Sequence, residues 1–335
     1  MTAQWRMPAE TEPHDCTWMA WPSAGYTLGD TEADADDARR AWAEVALAVA
    51  RFEPVRMVVD PVAKRHARKW LGSDVELLEA PLDDAWMRDI GPTFVVGPGG
   101  LGAVDWVFNG WGQQGWARWE RDARIARRVA EWAGATLIPS PMVNEGGGLH
   151  VDGAGTVLVT ETVQLDPARN PGWRREDVEA ELRRTLGVHA VVWLPRGLTR
   201  DYGEYGTRGH VDIVATVPSP GTVLLHVQRD PRHPDHAIDD ALRAALPADW
   251  RIVDLPAPER LEDEEGPVDH SYVNHLVCNG GVVACTFGDP RDAEALETLA
   301  SAYAGREVTG VDARVIFARG GGIHCITQQQ PRVAS

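Results

Sequence analysis

Short apolar runs recur along the chain in pairs, and a turn rich in glycine, proline, asparagine or aspartate separates the two runs of each pair. β-Branched residues dominate the runs, and two such runs around a short turn are typical of a β-hairpin. The clearest turns read D-G-A-G at 152–155, P-S-P-G at 218–221 and C-N-G-G at 278–281. The pattern therefore predicts three hairpins at these turns, and W-M-R-D-I-G-P-T-F-V-V at 86–96 leads into a fourth.

A helical pattern, with apolar positions three or four residues apart, follows several of these pairs. Each pattern runs up to a glycine, the residue that most often ends a helix. The segments R-I-A-R-R-V-A-E-W-A, R-E-D-V-E-A-E-L-R-R-T-L and D-A-E-A-L-E-T-L-A-S-A-Y-A stop at Gly134, Gly187 and Gly305. A short apolar strand comes next, such as A-V-V-W-L-P at 190–195. This order of elements predicts a mixed α/β protein.

These elements form a unit that repeats along the chain. A short polar stretch, which we name the leading segment, precedes two strands, a helix and a third strand. Aligning the units to within a residue or two puts the leading segments at Asp89, His150, His210, Asn274 and Cys325, about 60 residues apart. A shift of one residue turns a strand side chain to the other face, so the alignment leaves individual orientations open.

The fifth unit is incomplete, because the sequence stops soon after G-G-G-I-H-C-I-T-Q-Q. The N-terminal region offers the missing parts, namely a strand at 16–22, a helix near 35–52 and a strand at 55–60. Pairing of the two chain ends would complete the unit and protect its sheet edges. We therefore predict one α/β domain over 1–335, in which the repeats form a closed ring and the leading segments converge on its axis.

The net charge of the chain indicates which kinds of binding partner to expect. The 335-residue chain has 33 Lys and Arg against 50 Asp and Glu, a formal net charge of −17. Such a surface repels nucleic acid and anionic membranes, so we expect neither as a partner, whereas a small cationic substrate is compatible. No stretch approaches the ~20 apolar residues of a membrane span, and the N-terminal residues lack the pattern of a signal peptide.

The four cysteines predict free thiols in the cytoplasm. They stand at positions 16, 278, 285 and 325, with no spacing that is typical of a metal site. A chain of this length has no need of a disulfide framework, and reduced thiols are usual in the cytoplasm. Cys278 and Cys285 lie in apolar strands and are expected in the core. Cys325 follows three glycines in R-G-G-G-I-H-C, where a substrate could approach it.

The leading segments also carry histidines and carboxylates. They read R-D at 88–89, N-E-G-G-G at 144–148, G-H-V-D at 209–212 and H-C at 324–325. We expect His210 and Asp212, two apart on a strand, to face the same side. His324 would face away from Cys325 on the last strand and have a structural role.

A cysteine nucleophile needs a neighbour that favours its thiolate, because a free thiol has a pKa of ~8.5. An enzyme that hydrolyses acyl groups would add hydrogen-bond donors for an oxyanion. Carboxylates only accept hydrogen bonds, and they pair instead with the planar N–H groups of a guanidinium. The set therefore suggests attack of a thiol on the carbon of a positively charged amidine, provided that the leading segments meet in space.

Eight motifs, taken in order, extend over nearly the whole chain. They are M-P-A-E-T-E-P-H at 7–14, W-M-A-W-P at 18–22, D-A-W-M-R-D-I-G-P-T-F at 84–94, D-W-V-F-N-G-W-G at 105–112, E-G-G-G-L-H-V-D-G at 145–153, G-H-V-D at 209–212, Y-V-N at 272–274 and G-G-G-I-H-C-I-T-Q-Q-Q-P at 320–331. Their number and order resemble the agmatine deiminase family of guanidine-modifying enzymes. The resemblance implies a five-bladed, pseudo-symmetric α/β-propeller of ββαβ modules, without a metal or an organic cofactor.

The resemblance implies catalytic roles for three residues. Cys325 would be the nucleophile and form a covalent amidino-cysteine intermediate. His210 would protonate the departing ammonia and then activate the hydrolytic water. Glu145 would orient His210 and contact the substrate. With agmatine, a precursor in polyamine biosynthesis, the products would be ammonia and N-carbamoylputrescine.

The resemblance also implies a binding pocket in which Asp89 and Asp212 clamp the guanidinium and Trp86 lines the wall. One departure concerns the amine tail, the second positive charge of agmatine. Arg208 stands where an acidic residue is usual in the family. If Arg208 binds substrate, it disfavours the amine tail and favours a carboxylate or neutral tail; if it points to solvent, it does neither.

Two other functions stay open. One is a deiminase or amidinotransferase for a different guanidine, such as a carboxylate-tailed guanidine or an arginine residue of a peptide. The other is a silent propeller that only binds a ligand or protein, although the intact thiol, histidine and three acids favour an enzyme. The sequence does not decide between a monomer and a homodimer.

Overall fold

The computed structural model describes residues 5–259, 262–263 and 266–333, and its fold is mixed α/β. The three predicted hairpins are confirmed. Their strands are His150–Val151 with Thr156–Thr160, Ala215–Ser219 with Thr222–Val227, and Leu276–Cys278 with Gly281–Thr286. Gly221 and Gly280 have φ angles of 76° and 75°, in the left-handed region that favours glycine, which is why these turns need it.

Four sheets share the topology of the predicted ββαβ unit. In each, the first two strands are antiparallel and the third joins the second in parallel. A parallel pair needs a crossover connection, which a helix supplies. The strands in sheet order are Thr93–Gly97, Gly100–Val107 and Thr136–Val143; His150–Val151, Thr156–Thr160 and Ala190–Leu194; Ala215–Ser219, Thr222–Val227 and Arg251–Pro256; and Leu276–Cys278, Gly281–Thr286 and Glu307–Asp312.

The two ends of the chain pair in a further sheet, which we name the terminal sheet. Thr327–Pro331 lies antiparallel to His14–Ala20, and Val55–Val59 joins the latter in parallel. The N-terminal region therefore completes the last unit, as predicted. A fourth strand, Val75–Glu79, extends this sheet and has no counterpart in the sequence prediction. Glu262–Asp263 and Gly266–Pro267 form a small separate hairpin.

The helices agree with the predicted glycine ends at two of three positions. Gly134 and Gly187 end their helices with φ angles of 64° and 70°. The third helix ends at Ala302 rather than at Gly305, because Tyr303 leaves the helical conformation and is buried against His275. The helices are Glu32–Ala50, Lys64–Leu71, Met87–Ile90, Gly110–Gln113, Ile125–Ala133, Glu161–Gln164, Arg175–Leu186, Asp239–Ala245, Asp292–Ala302 and Arg314–Phe317. Across the described residues, none of these helices is long and apolar enough to cross a membrane.

The long helix Glu32–Ala50 shows how local sequence and packing combine. Thr31 and Asp34 cap its first turn reciprocally, so both backbone N–H groups there have acceptors. Its buried face carries Trp42 and Val45, which have no exposed surface, and packs into the main apolar core. The N-terminal cap and the apolar face together hold this helix against the terminal sheet.

The segment with His210 is not the strand that was predicted. Val211–Ile213 forms a 3-10 turn that begins directly after His210. Asp201 is the reason, because its carboxylate accepts the backbone N–H groups of Gly209 and His210 in place of a strand partner. His210 and Asp212 are therefore positioned by a turn and not by the alternation of a strand.

The segment with Cys325 also differs from the prediction. The final strand begins only at Thr327, and residues 323–326 form a turn. The hydroxyl of Thr327 stabilises this turn by donating to the carbonyl oxygen of Ile323 at 2.8 Å. His324 and Cys325 are therefore not held on opposite faces of a strand.

Candidate active site

Leading segments from distant parts of the chain meet in the interior. The amide of Asn274 donates to the carbonyl oxygen of Asp212 at 3.1 Å and contacts Sγ of Cys325 at 3.2 Å. The backbone N–H of Gly147 donates to Oδ1 of Asp89 at 3.0 Å. The convergence that the sequence predicted is therefore confirmed.

Cys325 is a buried thiol, and only 4% of its surface is exposed. Its Sγ lies 3.6 Å from Oδ2 of Asp212, to which the thiol donates. Burial, followed by the charges of Asp212 and Asp89, raises the pKa of Cys325 well above its ordinary value. The thiol therefore keeps its proton near neutral pH until another positive charge enters the site.

His210 faces two carboxylates. Its Nε2 lies 3.3 Å from Oε2 of Glu145, and its Nδ1 lies 3.9 Å from Oδ1 of Asp89. Burial opposes a charge on the ring, but these carboxylates outweigh it and raise the pKa of His210 to about 9. The ring is therefore an imidazolium at neutral pH and has a proton to give.

Glu145 is held in place by Arg169. The Nε of Arg169 donates to both carboxylate oxygens of Glu145 at 3.0 Å, and its Nη1 donates to Asp166 at 2.9 Å. Burial alone would raise the pKa of Glu145, but Arg169 and His210 lower it below its ordinary value. Glu145 is therefore ionised and oriented, and the sequence offered no signal for the residue that orients it.

Asp89 presents a carboxylate bonded on both oxygens. Oδ2 accepts from Nε1 of Trp111 at 2.9 Å, and Oδ1 accepts from the backbone of Gly147. Burial, and then repulsion from Glu145 and Asp212, raise the pKa of Asp89 to about 6 although His210 acts against them. Asp89 therefore ionises near the lower end of the physiological range.

Asp212 is contacted by His324, contrary to the prediction that His324 faces away from Cys325 and the site. Nδ1 of His324 lies 2.8 Å from Oδ2 of Asp212, and Nε2 lies 2.8 Å from Oε1 of Glu10. The turn at 323–326 makes this possible, because it lets the neighbouring side chains of His324 and Cys325 both reach Oδ2 of Asp212. His150, by contrast, is a buried core histidine whose Nε2 lies 3.0 Å from the hydroxyl of Thr216.

The glycines before Cys325 leave space for an aromatic wall. A Cβ on Gly321 would lie 2.7 Å from the ring of Trp86 and 3.0 Å from Sγ of Cys325. Trp86 is buried, and Tyr26 stacks on it with ring centroids 6.4 Å apart. Trp86 and the thiol therefore approach each other across a backbone that has no side chain, which explains the glycine at this position.

A cavity of about 420 Å³ adjoins this aromatic wall. Tyr26, Trp111 and Trp116 line it, together with the buried carboxylate of Asp84. Trp111 also donates to Asp89, so one of the residues that line the cavity contacts a carboxylate of the site.

Gly147 marks the space between the histidine and the carboxylates. A Cβ at this position would lie 2.4 Å from Nδ1 of His210 and 3.0 Å from Oδ2 of Asp212. Within the part of the chain that the structure describes, Nδ1 of His210 and Oδ1 of Asp212 are buried without a hydrogen-bond partner. Buried polar atoms are almost always paired, so these two point to a polar ligand.

Arg208 lies beside the site rather than among its acids. Its Nη1 is 3.4 Å from Oδ2 of Asp166, the acid that also binds Arg169. The side chain is 38% exposed. Among the contacts of the described residues, none joins Arg208 to Asp89, Glu145 or Asp212.

The structure adds residues that the sequence analysis did not assign to the site. Asn274 had appeared only as a repeat position, and its Y-V-N motif was the available signal. Glu10 belongs to the M-P-A-E motif at 7–10, and Trp111 to N-G-W-G at 109–112, so both were visible as motifs without a role. Their contacts require tertiary structure, because each partner is distant in sequence.

The family model for the Porphyromonas-type peptidyl-arginine deiminases matches residues 6–331. A Streptomyces coelicolor protein named "Putative agmatine deiminase" is 60% identical over 336 residues, with 98% of this chain and 99% of that protein covered. The agmatine deiminase of Stutzerimonas stutzeri is 40% identical over 356 residues, with 97% and 95% covered.

A solved structure extends the likeness from sequence to fold. It is described as the agmatine deiminase of Enterococcus faecalis catalyzing its reaction, and it superposes with a TM-score of 0.90 at 31% identity. The match covers 98% of this chain and 96% of that chain. The chain therefore belongs to the Porphyromonas-type peptidyl-arginine deiminase family, in which agmatine deiminases are among its relatives.

Proposed function

We propose that the protein is an agmatine deiminase, a hydrolase that converts agmatine into N-carbamoylputrescine and ammonia. One observation carries the proposal: the thiol of Cys325 shares a buried site with an imidazolium and three carboxylates, and these carboxylates only accept hydrogen bonds. A planar cation with N–H groups on all sides complements such a site. The agmatine deiminases among the relatives support the same substrate.

Substrate binding prepares the thiol. The guanidinium is placed against Asp89 and Oδ1 of Asp212, with Trp86 as a wall beside its plane. Its positive charge offsets the carboxylates that hold the proton on Cys325, so that the thiolate forms as the proton leaves to solvent. The exposed face of the guanidinium carbon then lies next to Sγ.

The chemistry proceeds through a covalent intermediate. The thiolate forms an S–C bond with the guanidinium carbon, and the His210 imidazolium gives its proton to the leaving nitrogen, which departs as ammonia. The neutral His210 ring then takes a proton from water, and the resulting hydroxide attacks the amidino carbon. The C–S bond breaks, the thiolate is restored, and the hydroxyl proton of the new urea group passes to solvent, where the released ammonia takes it up as ammonium. Glu145 keeps Nε2 of His210 oriented in both steps.

We further infer that the five main sheets are the blades of one α/β-propeller domain. Four of them share a strand order, and the two chain ends pair in the fifth. The meeting of leading segments from different sheets at one site supports a ring around that site. The four free, buried cysteines support a cytoplasmic location, where thiols stay reduced.

In a panel of guanidines assayed for ammonia release, we expect agmatine to have the highest kcat/KM. Arg208 is paired with Asp166, so its charge is partly offset and does not repel an amine tail strongly. The panel includes a carboxylate-tailed guanidine and a peptide that contains arginine. A higher kcat/KM for the carboxylate-tailed compound would mean that it, and not agmatine, is the preferred substrate. If no guanidine released ammonia, the proposal that the protein is an enzyme would be wrong.

The pH profile of kcat/KM is expected to be bell-shaped, with limbs near pH 6 and 9. Below about 6, Asp89 becomes protonated and no longer attracts the guanidinium. Above about 9, His210 loses the proton that the leaving ammonia needs. Initial rates between pH 5 and 10 at low substrate test this, because kcat/KM reports the free enzyme. Activity that keeps rising above pH 9 would mean that thiol ionisation, and not His210, controls the rate.

A further inference from the structure

His324 lies between two buried carboxylates and contacts both at hydrogen-bond distance. Its Nδ1 is 2.8 Å from Asp212, and its Nε2 is 2.8 Å from Glu10. A neutral imidazole has one N–H and one lone pair, so one of these contacts would place a lone pair against a carboxylate oxygen. While Glu10 and Asp212 are ionised, both contacts are favourable only if the ring carries both protons.

The charged and titratable groups around His324 decide whether the ring holds both protons. They are Asp212, Glu10, Arg88, His150 and His275. Burial and the guanidinium of Arg88 oppose the charge, but the two carboxylates outweigh them, and the pKa of His324 is raised. The pKa of His150 and that of His275 are lowered by burial, so these rings stay neutral and add no competing charge.

A metal ion is the alternative occupant of this cluster. Among the described residues, Glu10, His150 and His324 have donor atoms within 4.8 Å of one another. Arg88 speaks against it, because its Nη1 lies 3.5 Å from Oε1 of Glu10 and already brings a positive charge. His324 bonds Glu10 directly, and a metal between them would have to displace that contact.

We propose that His324 is a positioning residue, a buried imidazolium clamped between Glu10 and Asp212 that keeps Asp212 ionised and directs its free oxygen toward the guanidinium. The inference rests on the proposed function for its catalytic meaning. Oδ2 of Asp212 is occupied by His324, and Oδ1 is buried without a partner among the described residues. The ring thereby determines which oxygen is left for the substrate.

Glu10 is the second part of this device. It comes from the M-P-A-E motif at 7–10, far in sequence from His324. Without its carboxylate, His324 would face one acid and the Arg88 guanidinium, and the ring would lose its proton at lower pH. Asp212 would then share Oδ2 with a ring that switches between donor and acceptor, and its orientation would loosen.

The charge state of His324 can be measured without turnover. In protein labelled with ¹⁵N-histidine at pH 7, we expect an imidazolium signal from His324 beside that of His210. The His324 signal should be missing from His324→Gln, and the His210 signal should remain. A ring in its neutral form at pH 7 would overturn the proposal. Stoichiometric metal in the purified wild-type protein, measured by elemental analysis, would also overturn it.

Glu10→Gln tests the catalytic consequence. Loss of the opposite charge in contact with His324 is expected to lower the pKa of His324 by ~1–3 units. His324 rather than His210 then sets the alkaline limb of kcat/KM for agmatine, at a pH below the wild-type limb near 9. On the acid limb, which Asp89 sets near pH 6, the variant is expected to stay close to wild type. An equal loss of kcat/KM at every pH would indicate that Glu10 has only a structural role. An unchanged pH profile of kcat/KM would show that Glu10 does not affect the reaction. Either result contradicts the proposal.

Glu53→Gln is the matched control. Glu53 is a buried carboxylate that faces a buried histidine, His14, at 3.2 Å, and its described contacts do not include site residues. It should lower stability without moving the pH limbs. If no guanidine of the panel releases ammonia but the imidazolium signal of His324 is present, the enzyme proposal is wrong and the proposed ion pairs of His324 stand. If agmatine is turned over but the His324 ring is neutral, only the proposal for His324 is wrong.

Discussion

Cys325→Ala is expected to abolish ammonia release from agmatine, lowering kcat by at least ~10³-fold, as loss of a nucleophile commonly does. The reason is that the other named site groups cannot form the bond that the thiolate makes to the guanidinium carbon. His210 is an imidazolium, Glu145 and Asp212 are paired with cations, and Asp89 is hydrogen-bonded on both oxygens. The fold should persist, because alanine fills most of the volume of a cysteine. Steady-state kinetics and circular dichroism measure both effects.

Labelling makes this experiment more specific. A haloacetamidine carries a similar planar cation, and the thiolate should displace its halide. The wild-type protein should therefore gain one amidinomethyl group, as seen by intact mass, and Cys325→Ala none. Cys278→Ala is the control, because Cys278 is equally buried but lies in the strand Leu276–Cys278. Full activity in Cys325→Ala would end the nucleophile assignment. Turnover without labelling would show that the thiol does not meet the cation.

Gly147→Ala is expected to give the second large loss. Its Cβ would lie 2.4 Å from Nδ1 of His210, in the space where the guanidinium meets the histidine and Asp212. Overpacking of this kind costs ~1–3 kcal/mol of folding free energy. A cost of the same size in transition-state binding corresponds to a ~5- to 150-fold fall in kcat/KM at 1.4 kcal/mol per factor of ten. Kinetics with agmatine measure the loss, and we expect KM to rise as well as kcat to fall.

Backbone strain does not account for this effect, because Gly147 is not among the glycines with positive φ. Gly99→Ala is the control, since a Cβ at Gly99 has no neighbour within 4 Å and its φ is also ordinary. The control should match wild type in both kinetics and thermal stability. A Gly147→Ala enzyme with wild-type kinetics would mean that the substrate does not occupy the space beside His210.

The orientation of His210 depends on an ion-pair chain that begins outside the site. Arg169 holds Glu145 and is itself held by Asp166 and by the carbonyl oxygen of Thr207 at 2.7 Å. Arg208 adds a contact to the same Asp166. Arg208 therefore contributes to the support of Glu145, which offers a role for an arginine where the resemblance leads one to expect an acid.

The repeat, the hairpins and most helix ends were predictable because they depend on local chemistry. The turns around Gly221 and Gly280 need positive φ, and the caps at Gly134 and Gly187 need it too. The pairing of both chain ends was predictable for a different reason. The last repeat lacks its second strand, helix and third strand, and the N-terminal region contains these elements without a first strand of its own. The extra strand Val75–Glu79 escaped prediction, because the repeat pattern has no place for it.

The residue types of the site were also predictable, but their orientations were not. His210 and Asp212 were expected on a strand, and Asp201, nine residues before His210, turns that segment into a 3-10 turn. His324 was expected to face away, and the turn that precedes Thr327 directs it to Asp212. In the first case Asp201 takes backbone N–H groups that the pattern assigned to a strand partner. In the second case a local turn brings His324 to a carboxylate 112 residues away in sequence.

The sequence by itself determined the mixed α/β class, the repeated unit, the pairing of the termini and the presence of a thiol, a histidine and three acids in separate leading segments. Tertiary structure alone decided the charge and direction of each group: Arg169 on Glu145, His324 and Glu10 beneath Asp212, and the gap at Gly147. The physical reason is range. Turns and caps depend on neighbours a few residues away, whereas the pKa and orientation of a buried group depend on partners that only folding brings within about 4 Å.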